Sequence, residues 1–426
     1  MTEESGIQGQ GQQAAPNPSM EYDVIVVGGG PGGSTASVLL SRKGFKVLLL
    51  DKARFPRDKT CGDGLSGKTA KQLQKLGLIP EIEANPSAKM TGVMFSAPNG
   101  RILDVPVPEG SGVDGGYCCR RLVYDNILFQ NAKKQENVTV MEGFTVTDLL
   151  REGNQVTGVV GARLDAKETL SFKAKVVVGA DGAHSFVAKK IGALDLDPRH
   201  TIIAIRSYYE GVTGMKDRIE LHFVPEVMPG YFWIFPLEGG KANVGLGLVM
   251  SDFQKKNFKL DEKMFEIIKN NPLFKERFKD AKLIQGTLKG WTLPVGSKFR
   301  KMHDDGVLLV GDSAALIDPI SGEGIGNAMV SAEVAAGVIE KAFLAGDFTK
   351  NTLKEYEETV KNLLGHELQI SYKLQKTLNH PWLLNYLMWK AEKSKRLQHY
   401  ISMSLVKAEA KQEFNDPLFY LKMLFM

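Results

Sequence analysis

The chain has 426 residues, 43% of them hydrophobic and 24% charged, a globular balance that excludes global disorder at a length beyond one unit of roughly 100–200 residues. Lys and Arg outnumber Asp and Glu by 54 to 49 with no basic block, which argues against a nucleic-acid partner. Cys61, Cys118 and Cys119 are its three cysteines, without the spacing of a disulfide framework or a zinc site, so no metal is expected.

Residues 1–20 are rich in Gln, Gly, Asn and Pro and read as a disordered tail, not a targeting segment. No apolar run approaches the ~20 residues needed to cross a bilayer, and a cytoplasmic location is expected. Tyr22–Val27 is a continuous apolar run, the pattern of a strand buried on both faces of a parallel sheet. It enters Gly28-Gly-Gly-Pro-Gly-Gly33, followed by a helix over 34–43 and a strand over 46–50 that ends at Asp51. In that context Gly28-x-Gly30-x-x-Gly33 reads as a dinucleotide cradle. The first glycine permits the tight turn, the second lets the backbone approach a pyrophosphate, and the third lets the helix pack on the sheet. The helix N-terminus offers N–H groups to the phosphates. Asp51 lies 23 residues beyond Gly28, where a carboxylate can accept ribose hydroxyls.

Strands are expected over 92–97 and 102–107, a helix over 120–134, and a β meander over 138–141, 143–151, 155–163 and 169–172. A second buried strand over 175–179 leads into Asp181-Gly182. Strands over 202–209, 220–224, 231–236 and 243–249 precede a helical stretch over 253–278. A third buried strand, 306–311, turns at Asp312; a long Ala-rich helix follows over 324–345, then amphipathic helices over 348–426. The three buried strands imply a discontinuous α/β nucleotide-binding domain built from 21–90, 119–196 and 285–345. The β-rich stretches 91–118 and 197–284 are assigned to a substrate domain, and 346–426 to a helical C-terminal region.

Val177-Val-Gly-Ala-Asp-Gly182 with Ser185, and Leu309-Val-Gly-Asp-Ser-Ala314, resemble two signatures of the flavoprotein hydroxylase superfamily. The resemblance implies FAD in a Rossmann-like domain, with Asp312 at its ribityl and pyrophosphate region and the Asp181-Gly182 pair involved in both FAD and nicotinamide nucleotide binding. It also places Arg121 at the pyrophosphate or ribose. In Asp318-Pro-Ile-Ser-Gly-Glu-Gly-Ile-Gly-Asn327, it brings Gly324, Gly326 and Asn327 to the pyrimidine end of the flavin. Ala188 stands where the superfamily often carries Arg, which sets this chain apart at the nicotinamide-linked motif.

Within that superfamily, Lys59-Thr-Cys-Gly-Asp-Gly-Leu-Ser66 and Tyr231-Phe-Trp-Ile-Phe-Pro236 resemble the K-x-C-G-D-G and Y-x-W-x-F-P motifs of the geranylgeranyl reductase family. Asn243-Val-Gly245 and Arg121-x-x-Tyr-Asp125 extend the likeness. It implies saturation of C=C bonds in a prenyl chain on a lipid, quinone or diphosphate, with reduced FAD as hydride donor. An unactivated alkene also needs a proton, for which Cys61 and Asp63 are the candidate acids. Tyr231, Trp233 and Phe235 alternate along one strand and share a face, either the wall of an isoprenoid channel or ordinary core. The electron donor is open between NADPH and a ferredoxin-like protein. Rival readings are an aromatic or polyketide monooxygenase, a halogenase, or a non-catalytic flavin-binding protein of a lipid pathway. Trp382, Tyr386 and Trp389 precede Lys390, Lys393, Lys395 and Arg396; such a stripe fits peripheral membrane contact or docking onto the main domain.

Overall fold

The glycine-rich turn at residue 28 is the hinge on which the first sheet is organised. In the computed structural model, which describes residues 21–107, 115–165 and 168–406, the strand Glu21–Val27 lies at the centre of that sheet. Five parallel strands run in the order Val307–Leu309, Thr169–Gly179, Glu21–Val27, Val47–Asp51 and Val138–Glu142. The sheet is covered on both faces, as the unbroken burial of Val24–Val27 and Val47–Leu50 shows. The disordered tail expected over 1–20 and the last helical residues expected over 407–426 lie outside the described residues.

One expected boundary disappears. Residues 169–172 and 175–179 belong to a single strand, Thr169–Gly179. Its first half pairs antiparallel with Gln155–Arg163, and its second half runs parallel to Glu21–Val27. Burial alternates along the first half and is continuous at the end, because only the second half is covered on both faces. A change of period along one strand reads as two strands.

A second sheet has eight strands. Its order is Lys282–Leu283, Thr201–Glu210, Lys241–Val249, Gly230–Pro236, Arg218–His222, Gly92–Ser96 and Ile102–Pro106, with Lys289–Pro294 also on Thr201–Glu210. The early hairpin joins by a parallel pairing of Gly92–Ser96 with Arg218–His222. A small sheet of Gly64–Leu65, Gly116–Cys118 and Ala88–Met90 lies where the chain passes between the two large ones.

The helix Ile325–Ala345 is Ala-rich because it packs closely on the helices Pro31–Arg42 and Gly67–Leu76. A Cβ on Gly32 would already sit 3.4 Å from the Ala328 carbonyl. Beyond it, Lys350–Val360 runs through one wider turn, Lys361–Gly365, into His366–Thr377. Tyr356 is fully buried, and its hydroxyl donates to the Leu309 carbonyl at 2.5 Å, tying these helices to an edge of the parallel sheet. Tyr356→Phe keeps the ring and removes the donor, so it is expected to lower unfolding stability by about 1 kcal/mol. Urea unfolding followed by circular dichroism measures this, and cofactor retention is expected to be unchanged.

Candidate active site

The glycine turn is built by collisions that side chains would cause. Gly28 has φ +105°, and a Cβ there would lie 2.4 Å from the Ala180 carbonyl oxygen. A Cβ on Gly33 would lie 1.8 Å from the Gly28 carbonyl oxygen. Gly30 differs: its Cβ would meet only the Arg57 guanidinium, at 3.5 Å, leaving its face open to the cavity beyond. Gly30 also caps the helix Pro31–Arg42 without a side-chain hydrogen bond, so first-turn N–H groups are left for an anion. The Asp51 carboxylate accepts from the N–H of Gly29 at 2.6 Å and of Ala53 at 2.7 Å, holding the turn against the second strand.

Gly28, Gly30, Asp51, Arg121, Asp181, Asp312 and Gly324 all line one cavity of about 810 Å³. Arg121 is 3% exposed and donates through Nε and Nη2 to Asp125 at 2.6 and 2.7 Å, while Arg57 reaches the same carboxylate at 2.7 Å. Asp312 accepts from Lys59 Nζ at 3.0 Å. Asp181 faces its own helix: its carboxylate accepts from the Ser185 hydroxyl and from the Phe186 and Val187 N–H groups. Gly326 and Asn327 are not cavity residues. The Asn327 amide donates to the Leu316 and Glu323 carbonyls and accepts from Lys68, bracing the turn behind Gly324. The open Gly30 face, the uncapped helix and the Asp51 carboxylate together suit a dinucleotide with a pyrophosphate and a ribose.

The same cavity continues beneath the second sheet, where Ile202, Leu221, Leu248 and Leu293 line it beside Tyr231, Trp233 and Phe235. These three rings follow one another along a single face, with centroids 6.1 and 6.2 Å apart. Trp233 and Phe235 are accommodated by neighbours that lack side chains. A Cβ on Gly245, paired with Trp233 across the sheet, would lie 2.3 Å from the indole. Cβ atoms on Gly62 and Gly64 would lie 2.9 and 3.3 Å from the Phe235 ring. The Tyr231 hydroxyl donates to the Ser321 carbonyl at 2.9 Å. The glycines of the two motifs, far apart in sequence, clear space for the aromatic strand.

Cys61 lines the cavity where its two halves meet. Burial pushes its thiol above the ordinary range, with the Arg121 guanidinium partly countering the shift, so the thiol holds its proton at neutral pH. Asp63, paired with it as an acid in the sequence reading, is not a cavity residue. Its carboxylate is fully buried, accepting from the Arg121 N–H at 3.2 Å, the Tyr208 hydroxyl at 2.7 Å and the Asn243 amide at 2.8 Å. That places the Asp63 carboxylate in the wall behind the lining, with Cys61 of the pair facing the space. Burial raises Asp63 to about 6, above the value near 3.9 of an unfolded chain. The folded state therefore binds more protons between those values, and this group stabilises the fold less as pH rises from about 4 to about 6.

Asn243 escaped assignment in the sequence, although it stands next to the aromatic motif. Its amide also donates to the Cys61 carbonyl at 2.7 Å, and its oxygen accepts from Trp233 Nε1 at 2.9 Å. One buried side chain thus joins the cavity thiol's backbone, the wall carboxylate and the central indole. Arg206, also missed, holds Asp58 at 2.7 Å and so fixes the start of the same loop to the second sheet. Asn243→Ala strands the Trp233 indole N–H and one lone pair of Asp63. It is expected to cost about 1–3 kcal/mol per unsatisfied group, with a shifted tryptophan emission and cofactor content unchanged; chemical unfolding and absorbance of the bound cofactor check both.

The FAD binding domain family matches residues 21–365 of this chain. The digeranylgeranylglycerophospholipid reductase of Methanocaldococcus jannaschii is 34% identical over 366 residues, covering 84% of this chain and 86% of that protein. A second such reductase, from Methanococcoides burtonii, is 32% identical over 357 residues, 82% of each. Among solved structures, a geranylgeranyl bacteriochlorophyll reductase-like protein of Thermoplasma acidophilum superposes with a TM-score of 0.79 at 27% identity, covering 93% of this chain and 99% of that one. A flavin-dependent brominase, at 21% identity and a TM-score of 0.76 over 95% of this chain and 99% of its own, shares the fold. With FAD as the cofactor that the cradle fits, the chain belongs to the geranylgeranyl reductase family of FAD-dependent oxidoreductases.

Proposed function

We infer that the enzyme saturates C=C bonds of a prenyl chain of the geranylgeranyl type, borne on a lipid, quinone or diphosphate. The observation that carries the reading is the single cavity. Its dinucleotide cradle and its apolar aromatic wall are continuous, and a protonated thiol stands between them. A prenyl chain has no polar group to hold, so walls of Ile, Leu, Trp and Phe bind it by excluding water. FAD, once reduced, supplies the hydride.

The protein's own residues then handle the proton and the position of the alkene. Cys61 Sγ carries the proton delivered to the carbon opposite the one that receives hydride, and proton donation accompanies hydride addition because the alkene offers no carbonyl to polarise. Arg121, beside the thiol, favours the thiolate left behind. Asn243 and Asp63 hold the Cys61 backbone still. Trp233 and Phe235 confine the chain so that one double bond at a time faces Cys61. Electrons come from NADPH or from a ferredoxin-like protein. Three free thiols suit the reducing cytoplasm, and a lipid-borne substrate brings the working enzyme to the membrane surface.

Anaerobic addition of geranylgeranyl lipids, diphosphate or menaquinone to the dithionite-reduced holoenzyme is expected to reoxidise the flavin. The product should be heavier by one H2 per saturated bond. Persistence of reduced flavin with every prenyl compound, followed by transfer of an oxygen atom to an aromatic substrate, would replace the reductase by a monooxygenase. Cys61→Ser should retain FAD while turnover falls roughly 10²-fold or more. The acid must be protonated to act, and its proton affinity is raised. Wild-type turnover should therefore stay level through neutral pH and decline only above the ordinary thiol value of about 8.5; a pH–rate profile of the serine variant should lack that alkaline limb.

A further inference from the structure

The helix Pro381–Lys393 has two unlike faces. Inward, Leu384, Leu387, Met388 and Ala391 pack with Leu103, Val105, Phe223 and Met228 in one apolar cluster. That cluster also takes in Tyr231, Ile320 and Leu378, all of which line the cavity. Outward, Trp382, Tyr386, Trp389 and Lys393 recur at the spacing of a single helix face. Trp382 is 68% exposed and Trp389 37%. The expectation of a stripe docked on the main domain is therefore met by other residues, and the aromatic stripe is left facing out.

An exposed indole such as Trp382, with the partly covered Trp389 on the same helix face, gains little in water, whereas an indole at a lipid interface buries its ring and keeps its N–H wet. The surrounding charge fits the same setting. Lys393 lies over the Trp389 ring at 4.5 Å, and Lys390, Lys395 and Arg396 lie within the same stretch. Glu392, the acid among them, pairs with Arg101. No helix among the described residues is long and apolar enough to cross a membrane, so contact made here would be peripheral.

We propose that the helical pair Pro381–Lys393 and Lys395–Val406 docks the enzyme on an anionic membrane surface, with Trp382 and Trp389 in the interface, and that a prenyl chain leaves the membrane for the cavity beside Leu378. The docking rests on exposure, charge and the continuous apolar cluster; the cargo rests on the reductase reading. Leu378 stands four residues before Trp382 and belongs to both the cavity wall and the cluster under the docking helix. A chain taken up there travels along apolar side chains to the aromatic strand.

Co-sedimentation of the full-length holoenzyme with phosphatidylglycerol–phosphatidylcholine vesicles tests the docking. Binding is expected with anionic vesicles, weakened by salt and far weaker with phosphatidylcholine alone. The double variants Trp382→Ala with Trp389→Ala, and Lys393→Glu with Lys395→Glu, should each lose at least 10-fold in vesicle affinity with FAD content unchanged. Turnover of vesicle-borne prenyl lipid should fall with them, while turnover of detergent-dispersed substrate stays at the wild-type level. Absence of vesicle binding, equal binding by the variants, or self-association that the tryptophan variants abolish would overturn the proposal; the last would assign the patch to a second copy of this chain. Vesicle binding by an enzyme that reduces no prenyl chain removes the reductase reading while the docking stands.

Discussion

A carboxylate buried out of reach of bulk solvent must be met by donors, and the loop Asp58–Gly64 is shaped by that demand. Asp63 receives three hydrogen bonds, one from the helix that starts at Arg121 and two from strands of the second sheet. It adopts φ +65° to do so, a conformation rare outside glycine. Such a residue is retained only where its surroundings over-determine it. Here the surroundings are that helix and the second sheet, and the loop between them is the shared wall of cradle and channel. Buried polar networks of this kind specify one arrangement because every alternative leaves a partner unpaired.

Seen from that loop, the two sequence motifs are one object. The K-x-C-G-D-G segment supplies two glycines against which Phe235 lies, and the aromatic strand supplies the rings. Asn243 and Gly245, on the neighbouring strand, serve Trp233 from both sides: one accepts its N–H, the other leaves room for its ring. Sequence separation between the parts exceeds 160 residues, yet each makes sense only as the complement of another. A single large side chain introduced at Gly62 or Gly245 would have to displace an aromatic ring.

Much of this was legible in the sequence because it is local. The Gly28–Gly33 turn, the strand before it and Asp51 after it form one continuous unit, and alternation alone puts Tyr231, Trp233 and Phe235 on a common face. What depends on register was not legible. That Asn243 pairs with Phe235 and Gly245 with Trp233 follows from how two strands slide against each other, and no pattern within either strand states it. The orientation of Asp63 was hidden for the same reason, since Tyr208 reaches it from a third strand. Reading Asp63 as an acid facing the substrate followed from its neighbour Cys61; adjacent residues on a turn need not look the same way. Gly326 and Asn327 belong to a motif placed at the cavity, but they lie behind its lining and brace the turn, while the Asp181 carboxylate at the cavity is turned to its own helix.

The order of strands in the parallel sheet has a consequence for synthesis. The central strand, Glu21–Val27, leaves the ribosome first, but its partner Thr169–Gly179 comes about 150 residues later, and Val307–Leu309 later still. Until the chain has grown past Leu309, one edge of a highly apolar sheet has no neighbour, and Tyr356 must follow before that edge is clasped. Pairings this distant fold slowly and expose strand edges meanwhile. A nascent chain of this protein therefore spends much of its elongation with one edge of that sheet awaiting its last parallel strand.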